Sequence, residues 1–284
     1  MWYYKYIMPE INKSFAQEID KNTTTETAPS SVIETSTDKA ALGIRERGGF
    51  IVNCELTSPS TDERYSILYS SSEISTAKLI ASHIMSPVGP SEEIGGQHGF
   101  PRWADYHSFP VANGGQASDS RIAIQAKRSD TGLSVAKIFE LSDSALLTNT
   151  TLFNSESNVS NTSLGEHLYF LLTDEDFNGL RVDGKSLDEL LGDKAEESIK
   201  AGNSRFWNKF SGETTITFPG GYTVRLSASS NKVDAPLGML VWHKPGSPSI
   251  CFEPTLGFNN SSGNKGLEIA SYDSVTLSTR IELE

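Results

Sequence analysis

A chain of 284 residues with 37% hydrophobic and 21% charged side chains is long enough and apolar enough to bury a large core, which argues against a disordered polypeptide. Its formal net charge is −12 and no basic stripe or Arg-plus-aromatic cluster stands out, which argues against nucleic acid as a partner. The longest apolar runs are only a few residues, far short of a membrane-spanning helix, so no membrane partner is expected either.

The chain opens with MWYYKYIMPEINKSFAQEID, which lacks the basic start and continuous apolar stretch of an export signal. The expected compartment is therefore the cytoplasm, with Cys54 and Cys251 reduced. Neither cysteine has a metal-ligand spacing, and no metal or cofactor is expected. Residues 22–31 (NTTTETAPSS) are polar, so residues 1–31 read as an arm or tether and 32–284 as a single domain.

From residue 32 onward, short runs alternate apolar and polar side chains between Gly, Pro, Ser, Asp and Asn. The runs SVIET, GFIVNCELT, RYSILYS, SRIAIQAKR, SVAKIFELS and ALLTNTTLFN come first. EHLYFLL, GETTITFP, YTVRLSAS, GMLVWHK, SICFEP and SVTLSTRIELE follow. A period of two is the signal of half-buried antiparallel strands. One segment departs from it: Ser186-Leu187-Asp188-Glu189 has the form of a capping box and predicts one short helix ending near Gly202. The expected fold is all-β, a large antiparallel β-sandwich with one short helical insert.

Three places carry chemistry rather than packing. Gly95 to Tyr106 crowds three glycines, His98, Arg102, Trp103 and Tyr106 into one loop. It reads equally as a ligand-binding loop with flat aromatic faces for a sugar and as a tight turn whose aromatics cap the core. In Leu164-Gly165-Glu166-His167-Leu168-Tyr169-Phe170, a strand would put His167 and Tyr169 on one face and Leu168 and Phe170 on the core side. A lone strand histidine is more often structural than catalytic. In Ser249-Ile250-Cys251-Phe252-Glu253-Pro254, a carboxylate follows an apolar run. Desolvation would raise its pKa toward that of a useful base, and Pro254 is expected to end the strand. No nucleophile elbow, phosphate loop or dinucleotide fingerprint is present.

Together these segments resemble the aldose 1-epimerase family, and most closely its glucose-6-phosphate 1-epimerase-like branch. Gln97, His98, Gly99, Phe100 and Arg102 match its Gln-His-Gly-Phe-x-Arg motif, and Pro87-Val88-Gly89-Pro90 resembles the approach to it. Leu164, His167, Tyr169 and Phe170 match a Leu-x-x-His-x-Tyr-Phe strand. Pro245-Gly246 and Ile250 to Pro254 match the closing segment.

The resemblance implies a galactose mutarotase-like supersandwich. It also implies interconversion of α and β anomers of an aldose or aldose phosphate by ring opening without a cofactor. Glu253 would be the general base at the anomeric hydroxyl and His167 the general acid at the ring oxygen, with the roles reversed on closing. Gln97, His98, Arg102 and Asp174 would bind the sugar. The branch's Arg-Gly-Gly segment is replaced by Ala77 to His83, where Lys78 substitutes for the arginine, and Ser204-Arg205-Phe206-Trp207 stands where a later substrate-binding Asp is expected. The competing reading is a carbohydrate-binding protein without turnover on the same fold.

Overall fold

The computed structural model describes residues 31–71, 80–91, 96–109, 120–127, 132–258 and 266–284. The predicted arm, apart from Ser31, and Lys78 lie outside the described residues. The alternating runs all become strands, and two sheets dominate. The larger has eight strands in the order Arg181–Val182, Glu213–Thr217, Thr223–Ser230, Ser274–Leu283, Ala145–Asn154, Leu133–Leu141, Arg121–Lys127 and His107–Ser108. The smaller has five: Arg205–Trp207, Leu237–His243, Ser249–Leu256, Leu164–Leu171 and His83–Met85. Every ladder pairing within these two sheets is antiparallel.

The core lies between these sheets. Val135, Phe139, Leu146, Leu152 and Leu277 from the larger pack into one cluster with Leu164, Leu168, Phe170, Val241 and Phe252 from the smaller. Leu168 and Phe170 face this core, as the alternation predicts. A four-stranded sheet, Val32–Ser36 to Arg64–Ser66, adds Leu42, Ile44, Ile51 and Leu56 to the same cluster.

Two local expectations change. The helical insert is two short helices, Leu187–Leu191 and Ala195–Lys200. The Ser186/Glu189 capping box opens the first, and Gly192 at φ +100 stops it. The strand carrying Glu253 does not end at Pro254 but runs on to Leu256, paired with Leu237 and Gly238 on one side and Leu164 and Gly165 on the other. Pro254 is tolerated because the ladder skips it on the Leu164–Leu171 side. Pairing is made at Gly165–Thr255 and resumes at Leu168–Phe252.

Candidate active site

That gap in the ladder is where the chemistry sits. The register on either side of it puts His167 directly opposite Glu253, and on its other side His167 pairs with His83. Glu253 in turn pairs with Leu240, and Leu240 with Phe206. Five cross-strand neighbours, His83, His167, Glu253, Leu240 and Phe206, therefore form a row across the five-stranded sheet. Glu166, one residue away, points to the opposite face and pairs with Lys137 of the eight-stranded sheet. The row thus faces away from the core.

Over this face lies a cleft of about 830 Å³, with His167 and Glu253 in its wall beside Tyr169, Trp242, Phe206 and Leu240. His167 Nε2 is 3.4 Å from Glu253 Oε1, and the two side chains are only 4% and 5% exposed. Tyr169 stacks on the imidazole with centroids 4.4 Å apart and planes 7° from parallel, and its hydroxyl is 3.4 Å from His167 Nε2. Trp242 meets the same ring edge-on at 5.7 Å, and its indole N–H donates to the Gly202 carbonyl.

Burial sets the charge state of the pair. Desolvation pushes the Glu253 carboxyl up to about 8, and no cation among the described residues brings it down. Desolvation holds His167 well below the usual histidine range, helped by His83, His98 and Arg102. Near neutrality the pair therefore carries one proton, on Glu253, beside a neutral imidazole.

The His98–Arg102 loop is held against this floor. Gly99 has φ +67, and a Cβ there would fall 1.8 Å from the Ser86 carbonyl oxygen, so only glycine lets the loop pass so close. His98 Nδ1 donates to the Val88 carbonyl at 2.6 Å, which leaves Nε2 as an acceptor, 3.2 Å from Gln97 Nε2. Burial lowers His98 to about 4, so it stays neutral and can accept a hydrogen bond from a sugar hydroxyl. Arg102 ends a short 3₁₀ turn, lies 5.3 Å over the Trp103 ring, and keeps a buried, unpartnered Nε.

Among the described residues, one group of metal-ligating types gathers here. His167, Cys251 and Glu253 have ligand atoms within 4.8 Å of one another. Burial raises the Cys251 thiol well above its ordinary value, with Glu253 adding to the effect, so the sulfur is held as a thiol rather than the thiolate a metal binds.

The same topology recurs in solved structures. The Slr1438 protein of Synechocystis sp. PCC 6803 superposes with a TM-score of 0.70 at 16% identity, over 93% of this chain and 99% of that one. A galactose mutarotase-like protein of Lactobacillus casei ATCC 334 gives 0.67 at 17% identity, over 89% and 100%. The fold is that of the galactose mutarotase-like proteins. A galactose 1-epimerase of Lactobacillus acidophilus NCFM shares it more distantly, at 0.56 and 12% identity over 93% and 97%. No protein-family model matches the chain, and no curated protein matches it by sequence.

Of the seven residues singled out from sequence, His98, Arg102, His167 and Glu253 all line this one cleft of the mutarotase-like fold. Gln97 lines it too, from an exposed position at its edge. Asp174 opens the 3₁₀ turn Asp174–Gly179, and its side chain lies outside the described residues. The loop aromatics do not form a sugar platform. Tyr106 is buried in the core and donates to the Pro101 carbonyl, while Trp103 lies under Arg102, outside the cleft. The aromatic walls are Tyr169, Phe206, Trp242 and Phe258 instead.

Sequence reasoning missed two cations, Arg205 and Lys244, that line the same cleft. Arg205 adjoins Phe206 on an edge strand, and Lys244 follows His243 at a strand end. Only sheet order shows that both line the cleft that His98 lines. His83 was also missed as part of the row, because its strand is three residues long and shows no alternation.

Proposed function

We propose that this cleft interconverts the α and β anomers of an aldose that carries an anionic group. The observation that carries the reading is the contact between His167 and Glu253 in the wall of a cleft large enough for a sugar. In a cyclic aldose the anomeric hydroxyl and the ring oxygen sit on the same carbon. Opening breaks the bond from that carbon to the ring oxygen and makes a carbonyl. One proton leaves the hydroxyl and one arrives at the ring oxygen. The acid and the base must therefore be immediate neighbours, and a pair sharing one proton can act in either direction. With Glu253 raised to about 8 and His167 neutral, the proton rests on Glu253 and reaches His167 by a move across 3.4 Å. Rotation of the open aldehyde before closing then exchanges the anomers.

The anionic preference rests on charge. Arg102, Arg205 and Lys244 line the cleft, and among the described residues none of them has a carboxylate partner. The carboxylate beside them, Glu253, is uncharged at neutral pH. A cationic cleft in a chain of net charge −12 favours a phosphate or a sugar carboxylate. His98 Nε2 and Gln97 serve ring hydroxyls, and Trp242 and Phe206 offer the apolar faces a sugar ring packs on.

Anomer-exchange nuclear magnetic resonance over glucose, glucose 6-phosphate and glucuronate tests this. Faster exchange than buffer is expected, with the lowest KM for an anionic sugar. Buffer rates for every sugar would overturn the enzyme reading, and sugar binding without exchange would establish the binding-protein alternative.

A further inference from the structure

His83 has no role so far, yet it is the ring that His167 faces on the side away from Glu253. The two are cross-strand partners with centroids 4.9 Å apart and planes 31° from parallel. His83 is fully buried, packed on Phe50 at 5.3 Å, with His98 5.3 Å away and Tyr169 6.2 Å away. Its Nδ1 is 2.8 Å from the Ala81 carbonyl. A carbonyl only accepts, so Nδ1 carries the hydrogen and Nε2 presents a lone pair. That Nε2 has no hydrogen-bond partner, and neither has the buried Nδ1 of His167. Leaving two buried polar atoms unpaired on neighbouring rings costs roughly 1–3 kcal/mol each, so a buried water that pairs with both is favoured.

We propose that His83 is a positioning residue for His167, accepting a hydrogen bond from His167 Nδ1–H through one buried water and so fixing the tautomer that turns His167 Nε2 toward Glu253. The donor directions agree from both ends. The Ala81 carbonyl sets His83 as an acceptor at Nε2. The protonated Glu253 carboxyl at the other end needs an acceptor at His167 Nε2, which requires the hydrogen on Nδ1. The relay then runs in one direction: Glu253 to His167, His167 to water, water to His83, and His83 to the Ala81 carbonyl. Burial, with His98, Arg102 and Lys137 nearby, keeps His83 well below the usual histidine range, so it remains an acceptor at neutral pH. When His167 takes a proton on Nε2 during turnover, the same acceptor stabilises the charge on Nδ1–H.

This inference rests on the anomerase reading for its kinetic consequence, but not for its structural one. Nitrogen chemical shifts of the wild-type protein at pH 7 should show His167 protonated on Nδ1 and bare on Nε2. In His83→Leu that preference should weaken, since only Glu253 still supports it, and kcat for anomer exchange should fall about ten- to a hundred-fold with KM unchanged. His83→Gln keeps an acceptor near the Nε2 position and should restore most of both. A wild-type His167 protonated on Nε2 overturns the proposal, even if His83→Leu fails to fold. So does a folded His83→Leu with the native nitrogen pattern. If no sugar exchanges faster than buffer, the anomerase reading fails, while the nitrogen shifts still decide the role of His83.

Discussion

Glu166 and Glu253 are both buried carboxylates in the five-stranded sheet, one register step apart, and they differ in almost everything else. Glu166 points into the core, where it meets the Lys137 ammonium and the Thr150 hydroxyl, both from the eight-stranded sheet. Every polar atom there has a partner. Burial alone would drive the Lys137 ammonium far down, and Glu166 opposes that shift. Glu253 points into the cleft, meets a neutral imidazole and the Cys251 thiol rather than a cation, and is pushed up to about 8. The cluster around Lys137 is satisfied and locks two sheets together. The one around Glu253 leaves buried nitrogens unpaired on His167 and His83. Equal burial thus yields a structural ion pair on one face and a loosely held proton on the other. The presence or absence of a cation decides which.

The sharpest way to break this comparison is to neutralise each carboxylate in turn. Glu253→Gln should lower anomer exchange by about a hundred- to ten-thousand-fold while leaving the fold intact, since it removes the proton carrier but no ion pair. Glu166→Gln should do the reverse. Stranding Lys137 in the core should destabilise the protein by about 3–5 kcal/mol, and the protein that remains folded should still exchange anomers. Denaturant unfolding and exchange rates on the two variants check both. A Glu253→Gln protein destabilised as much as Glu166→Gln would erase the distinction.

A smaller effect sharpens the cleft side. Arg205→Ala removes a cation that supports nothing else among the described residues. It should weaken binding of an anionic sugar by about 1.5–3 kcal/mol, the worth of a charge-assisted hydrogen bond, and barely change a neutral one. KM measured for glucose 6-phosphate and glucose side by side tests it. Equal losses would remove Arg205 from anion recognition.

Most of the fold was legible because a period of two is a property of consecutive residues. Leu168 and Phe170 had to face the core once His167 and Tyr169 did not, and the Ser186/Glu189 capping box announced a helix start by spacing alone. What failed depended on neighbours distant in sequence. Pro254 could stay within a strand only because the ladder opens on one side of it, which a local rule about proline does not see. The loop sequence left Tyr106 open between a ligand-facing and a core-capping aromatic, and only the packing of the distant strands around it decides for the core. The His167–Glu253 pairing came through resemblance, not through residue pattern. Arg205, Lys244 and His83 were invisible because each owes its place to sheet order, Arg205 and His83 on short edge strands and Lys244 just past a strand end.

The difference between the two carboxylates also has a signature in stability against pH. Glu253 titrates near its ordinary value of 4.5 in the unfolded chain and near 8 in the folded one. Between those values the folded state holds a proton the unfolded state has lost, so stability falls as pH rises, approaching about 1.4 kcal/mol per unit. The buried histidines act in the opposite sense. His83, His98 and His167 are held below 6.5, so their contribution is present above pH 6.5 and is lost as pH falls below it. From pH 6.5 to 8 the folded histidines are neutral and the unfolded ones lose their remaining charge, an effect that wild type and Glu253→Gln share and that cancels between them, which leaves the Glu253 effect. Wild type should therefore lose stability across that window relative to Glu253→Gln, whose amide does not titrate. Exchange should fall above about pH 8, when the pair has no proton left to give. Parallel unfolding free energies for the two proteins from pH 6.5 to 8 would mean that Glu253 already ionises freely in the fold. The cleft would then hold an ordinary carboxylate rather than a proton poised for transfer.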